Sequence, residues 1–125
     1  MLEILQARPP SEAVWTSLRR LFDVVDDHDQ ATMKLSQRMV FETPALLAVY
    51  LQKLQRIQTN VADELLRRAD AAGKPYPRDD IAPRAVTAAA FGCFITAQYA
   101  WLEAESSEAL GGYIDSAMAT VKPRG

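Results

Sequence analysis

The sequence predicts an all-α fold, an antiparallel helical bundle of about five helices. Three observations carry this. Apolar residues recur at helical spacing in every long segment. Two of those segments are long, one opened by Thr43-Pro44 and running toward Gly73, the other from near Asp80 to about Ala104. No stretch alternates apolar and polar residues in the manner of a half-buried strand. At about 1.5 Å per residue, each long helix spans roughly 35–40 Å. A chain of 125 residues holds one domain with a real core. Two rods of that length in so short a chain imply apolar surface that another molecule covers, and so a binding or assembly module.

Leu2 to Ala7 reads as the tail of a helix, stopped before Arg8-Pro9-Pro10 because proline disfavours helix at the residue before it. Residues 1–10 are therefore read as the end of a linker helix with a proline break, and residues 11–122 as the domain proper. Ser11 is the expected N-cap of the next helix, with Glu12 in its first turn. Val14, Leu18, Leu21 and Val25 follow at four-three-four spacing, and Trp15 and Phe22 widen that stripe. The acidic run Asp26-Asp27-His28-Asp29 breaks it. Asp29 then caps a helix through about Phe41 that carries Met33, Leu35, Met39 and Val40.

Thr43 as N-cap and Pro44 at the first helical position open the first long helix. Leu47, Leu51, Leu54, Val61 and Leu65 form one apolar stripe, interrupted by Gln58, with Leu46, Tyr50 and Ile57 beside it. Two adjacent stripes predict contact with more than one neighbour. Lys74 to Arg78 is a proline-bearing loop, and Asp79-Asp80 opens the second long helix with Pro83 in its first turn. That helix is small in its first half (Ala82, Ala85, Ala88, Ala89, Ala90, Gly92) and bulky in its second (Phe91, Phe94, Ile95, Tyr99, Trp101, Leu102). Ser106 or Ser107 is expected to cap a last helix with Leu110, Ile114, Ala117 and Val121 as its stripe, ended by Pro123. Gly111 and Gly112 inside it each cost about 1 kcal/mol relative to alanine, which close packing offsets.

The net charge of −2 offers no basic face for gripping nucleic-acid phosphates. The single cysteine, Cys93, excludes an internal disulfide and fits a reducing compartment. It lies in an apolar helix without a basic neighbour and reads as a small hydrophobe. No run approaches the roughly 18 uninterrupted apolar residues of a membrane span. Met1-Leu2-Glu3-Ile4 lacks a signal pattern, and the expected location is the cytoplasm, away from any membrane. Asp23, Asp26, Asp27, His28 and Asp29 are metal-ligand types. However, consecutive residues on one turn do not converge on a point, and there is no second histidine, so a solvated turn is expected and no metal. No nucleophile elbow, Cys/His couple or glycine-rich phosphate loop is present, so neither catalysis nor a cofactor is expected.

A set of aromatic residues and methionines from four helices remains: Trp15, Phe22, Met33, Met39, Phe41, Tyr50, Phe91, Phe94 and Tyr99. It fits either a packed core or a cavity between helices for an apolar or amphipathic ligand. Tyr50, Gln58 and Gln98 break otherwise apolar faces and are the polar groups that would orient such a ligand.

Four features together resemble the C-terminal ligand-binding and dimerisation domain of the tetracycline-repressor (TetR) family of bacterial transcription regulators. They are Ala7-Arg8-Pro9-Pro10 after a short helix, Glu42-Thr43-Pro44-Ala45-Leu46 opening a long one, the alanine-rich helix ending in Trp101-Leu102, and the closing helix after Ser106. Within the family the likeness is to the actinobacterial-type subset that includes regulators of the mycofactocin system. It covers nearly the whole chain, on motifs of moderate specificity.

The resemblance implies a homodimer whose last two helices pair with their counterparts as a four-helix bundle. Each protomer would enclose a mostly apolar cavity for a drug, lipid, acyl-coenzyme A thioester or metabolite. Ligand binding would alter the spacing of two N-terminal helix-turn-helix domains, and so DNA release. That DNA-binding part is missing from the chain, and Leu2 to Ala7 would match the end of the helix joining the two parts. The expected cavity is bordered by Trp15, Phe22, Met39, Tyr50, Leu54, Phe91, Phe94 and Gln98. Small residues suited to close crossing place the expected dimer interface at Gly92, Ala97 and Ala117, with Trp101 and Tyr113 as anchors. Two rivals stand beside this reading: a ligand-free helical protein–protein interaction module, and an enzyme, which would need convergent polar groups.

Overall fold

The computed structural model describes residues 1–123. The helical spacing folds into α1 (Leu2–Ala7), α2 (Val14–Arg20), a 3₁₀ segment (Leu21–Asp27), α3 (Gln30–Glu42), α4 (Pro44–Ala71), α5 (Ala82–Glu103) and α6 (Leu110–Val121), with no strand among the described residues. α5 lies at the centre. It packs along α4 and α6 and also touches α2 and α3. Phe91, Phe94 and Trp101 on α5 bury against Leu18, Phe22, Leu54, Val61, Ile114 and Met118 from the surrounding elements. By length and composition α5 could cross a membrane, at a mean hydropathy of 1.3 over 18 residues. Its apolar composition is also what a core helix needs when neighbours cover it on several sides.

The long helices end where the sequence predicts. Pro44 occupies the first turn of α4. Gly73 closes it at φ +75°, which glycine adopts without steric cost. The Lys74 N–H reaches the Ala69 carbonyl (3.1 Å) and the Gly73 N–H the Asp70 carbonyl (3.1 Å), a Schellman closure. Asp29 caps α3 as expected, its carboxylate accepting the Thr32 backbone N–H at 3.0 Å.

Two starts differ from expectation, and one helix changes form part-way. The helix expected from Ser11 begins at Val14 with Ala13 at the cap, because the Ser11-Glu12 stretch turns on the proline break and the Glu12 N–H bonds the Pro9 carbonyl. After Arg20 that helix narrows to the 3₁₀ segment, which still buries Leu21, Phe22 and Val25. The last helix begins at Leu110, not after Ser106 or Ser107. Residues before it form a strap, in which the Ser106 hydroxyl accepts the Glu108 N–H (3.0 Å) and the Trp101 indole donates to the Glu108 carbonyl (3.2 Å).

α3 departs furthest from the expected apolar stripe. It buries no residue, and Leu35 and Met39 are 73% and 60% exposed. Its side toward the bundle carries Gln30, Lys34, Gln37 and Arg38, at spacings of four, three and one. Gln30 Oε1 accepts the Leu110 N–H (3.0 Å). Lys34 Nζ donates to the Ala104 carbonyl (3.0 Å) and sits 5.5 Å from the Trp101 ring centre. Arg38 donates to the Leu102 carbonyl (2.8 Å), and Gln37 Oε1 accepts from Gln98 (3.2 Å). Two cations thus meet the C-terminal carbonyls of α5, where the helix dipole favours positive charge. α3 is fastened largely by these polar groups, with Met33 partly buried against the core and Phe41 packed on Tyr50 and Tyr99 as its apolar contacts.

Candidate functional site

Between the 3₁₀ segment, α3 and α4 lies a cleft of about 580 Å³. The 3₁₀ segment and the turn after it supply Val24, Val25 and His28, and α4 supplies Lys53. Asp29, Thr32, Met33, Ser36 and Gln37 form the α3 wall, on one face because they recur at helical spacing. Thr32 is anchored on Asp29, whose Oδ2 accepts the Thr32 hydroxyl at 2.6 Å as well as its N–H. Those two bonds hold the Asp29 carboxyl below the usual carboxylate range.

At Gln37 the wall meets a buried polar set. The Gln98 amide nitrogen donates to Gln37 Oε1 and to the Tyr50 hydroxyl (2.7 Å). Gln98 is 0% exposed, and its Oε1 has no hydrogen-bond partner. Burial pushes the Tyr50 phenol above its ordinary pKa, against the opposing effect of its bonds to Gln98 and Gln37. Phe41 packs between Tyr50 (ring centres 5.8 Å apart) and Tyr99 (4.7 Å), closing the far side of this set.

None of the eight residues expected to border a cavity lines this cleft. Phe22 stacks on Phe94 (4.5 Å, 5° between planes) and meets Phe91 edge-on (5.2 Å, 79°), so that part of the set is solid core, with Leu54 buried in the same cluster. Trp15 sits near α6, its indole donating to the Met118 carbonyl (3.1 Å), and Met39 faces solvent. Tyr50 and Gln98 reach the cleft only through Gln37. The lining residues that sequence reasoning missed as a group are Val25, Thr32, Ser36, Gln37 and Lys53. Their one available signal was a pair of hydroxyls, Thr32 and Ser36, four residues apart beside Met33 and Gln37, likewise four apart.

The expected interface residues also separate. Gly92 and Ala117 border an open groove of about 370 Å³ with Ala89, Cys93, Thr96, Thr120 and Val121, and Tyr113 is half-buried nearby on α6. Ala97 and Trp101 are 2% and 1% exposed, packed inside the protomer, and offer no surface to a second copy in this conformation. A Cβ added at Gly92 would meet nothing within 4 Å. Cys93 is buried with its Sγ 3.6 Å from the Ala117 carbonyl, and burial pushes its thiol up, away from the reactive thiolate. Asp23 pairs with Arg19 and Arg20, and no cluster of metal-ligating side chains occurs among the described residues.

A central alanine-rich helix, flanked by a 28-residue helix and a short closing helix, is the architecture of a TetR-type regulator's C-terminal domain. A family model described as the MftR C-terminal domain matches residues 8–124, and the chain belongs to that family. Domains of this type are regulatory and non-catalytic. No curated protein and no solved structure matches the chain.

Proposed function

We propose that this chain is the effector-binding and dimerising domain of a TetR-like transcriptional regulator, and that the cleft between the 3₁₀ segment, α3 and α4 is its effector site. The observation that carries the reading is the cleft itself. Its volume suits a small molecule, and its wall mixes apolar Val24, Val25 and Met33 with the polar tips of Thr32, Ser36, Gln37 and Lys53. That mixture fits an amphipathic ligand with an apolar body. Ligand binding would act by population shift, favouring the protomer geometry it binds better. Operator contact would fall to a separate helix-turn-helix domain, and the site of action to the cytoplasm.

A homodimer through α5 and α6 belongs to the same reading. Ala85, Ala88, Gly92, Thr96 and Ala100 form an exposed stripe of small residues along α5. A mid-helix glycine costs about 1 kcal/mol relative to alanine. Nothing inside the protomer needs the missing Cβ of Gly92, so a close helix from a second copy supplies the reason for it. The solid Phe22–Phe91–Phe94 core favours the rival reading, a dimerising module with no ligand. Native mass spectrometry at graded activation separates the two. A dimer carrying a co-purified adduct is the expected result; a bare dimer would favour the module, and a bare monomer would overturn both.

A further inference from the structure

Gln98 sits one residue behind the cleft wall, and its amide is half used. Its nitrogen donates both hydrogens, to Gln37 Oε1 (3.2 Å) and the Tyr50 hydroxyl (2.7 Å), while Oε1 has no partner at 0% exposure. Buried polar groups are almost always hydrogen-bonded, so the Gln98 Oε1 keeps its capacity to accept a bond from a further donor. Gln37 stands between this amide and the open cleft. It lines the cleft and holds Gln98 by one bond. It also stands on α3, the helix that buries no residue, so turning its side chain aside disturbs no apolar packing.

Resting on the cleft being the effector site, we infer that Gln98 selects an uncharged hydroxyl group on the ligand. With Gln37 turned away, the hydroxyl takes its place. It donates its proton to the orphaned Oε1 and accepts the Nε2 hydrogen that Gln37 releases. A single oxygen that both donates and accepts completes the amide; an ether oxygen only accepts, and leaves Oε1 unpaired. An ionised head is excluded by the surroundings. Gln37, Tyr50 and Gln98 carry no charge, and a buried ion without a counter-charge is heavily penalised. Lys53, the cation of the cleft, lies on its α4 side and would instead meet a head held at the mouth.

The probes are 1-octanol, octyl methyl ether and octanoate, titrated into the ¹⁵N-labelled chain and followed by backbone and side-chain amide shifts. Octanol is expected to bind about tenfold more tightly than the ether, the usual effect of satisfying a buried polar atom. It should also move the Gln98 side-chain amide resonances, which the ether leaves in place. In Gln98→Met that preference should fall to within twofold, with ether binding retained. The wild-type Gln98 resonances decide the matter even if the variant fails to fold. Equal binding of octanol and ether in the cleft would overturn the inference and leave the cleft reading intact. Tightest binding of octanoate would overturn it in favour of a head group at Lys53. Failure of all three to perturb the cleft residues would overturn the cleft reading as well.

Discussion

Gln30 and Leu110, eighty residues apart, are joined by one hydrogen bond: Gln30 Oε1 accepts the Leu110 backbone N–H at 3.0 Å. The amide's other end donates to the Val25 carbonyl at 3.1 Å, so a single side chain ties the 3₁₀ wall of the cleft to the first turn of α6. The Leu110 N–H is one of the helix-start donors that no intrahelical carbonyl can reach. Replacing Gln30 with leucine leaves it unpaired beside the core, and should lower unfolding free energy by about 1–2 kcal/mol. Urea denaturation should show this as a lower midpoint with an unchanged slope.

Arg68 on α4 performs the corresponding service for α1. Its guanidinium donates to the carbonyls of Leu5 (2.9 Å), Arg8 (3.1 Å) and Pro9 (3.0 Å), a charged donor added at the end of α1, where Leu5 and Pro9 also accept the Arg8 and Glu12 N–H groups. Arg68→Met should cost about 1.5–3 kcal/mol, the usual range for hydrogen bonds to a charged group. Hydrogen exchange should quicken in α1 while the Phe91 to Trp101 stretch of α5 keeps its protection. Uniform loss of protection would mean that Arg68 supports the whole core and not this junction.

Acid should loosen the same junction. The Arg8 guanidinium, and secondarily the Ser17 hydroxyl, hold the Glu12 carboxyl at about 2 against an ordinary 4.5. A depressed folded-state pKa means the unfolded chain binds more protons between those values. The stabilisation is complete above about pH 4.5 and is lost as pH falls toward 2. Glu12→Gln should flatten the dependence of thermal midpoint on pH across that window. An unchanged profile would show that Glu12 contributes nothing to it.

Gly92 gives opposite results for the protomer and for the proposed dimer. Because an added Cβ meets nothing within 4 Å, Gly92→Ala should raise protomer stability by about 0.5–1 kcal/mol through helix propensity alone. Gly92→Arg should leave the circular dichroism spectrum unchanged and convert the dimer to monomer in light scattering. A dimer that survives the arginine would move the interface away from this face of α5.

How far the chain could be read in advance depends on the kind of interaction at each position. The long helices were legible because their signals are local: Pro44 presets its own φ, Gly73 relieves its own backbone, and Asp29 reaches an N–H three residues on. The family was legible in Glu42-Thr43-Pro44 and the alanine-rich helix for the same reason. The cleft was not. Periodicity ranks positions by apolarity and leaves core and cavity open; the family resemblance placed Phe22, Phe91 and Phe94 on a cavity, whereas their rings fill one another's space. Periodicity also ranked Leu35 and Met39 as inward and passed over the polar stripe beside them.

By itself the sequence determined the two long helices, their ends and the family, since capping, helix-breaking and 3.6-residue periodicity act within a turn or two of the residue that causes them. Tertiary structure alone decided that α3 is held by Gln30, Lys34, Gln37 and Arg38, and that Trp101 belongs to the core. It alone decided that the cleft opens between Val25, Ser36 and Lys53. Each of those outcomes depends on where distant carbonyls and side chains arrive once the helices have packed, and no spacing along the chain encodes that meeting.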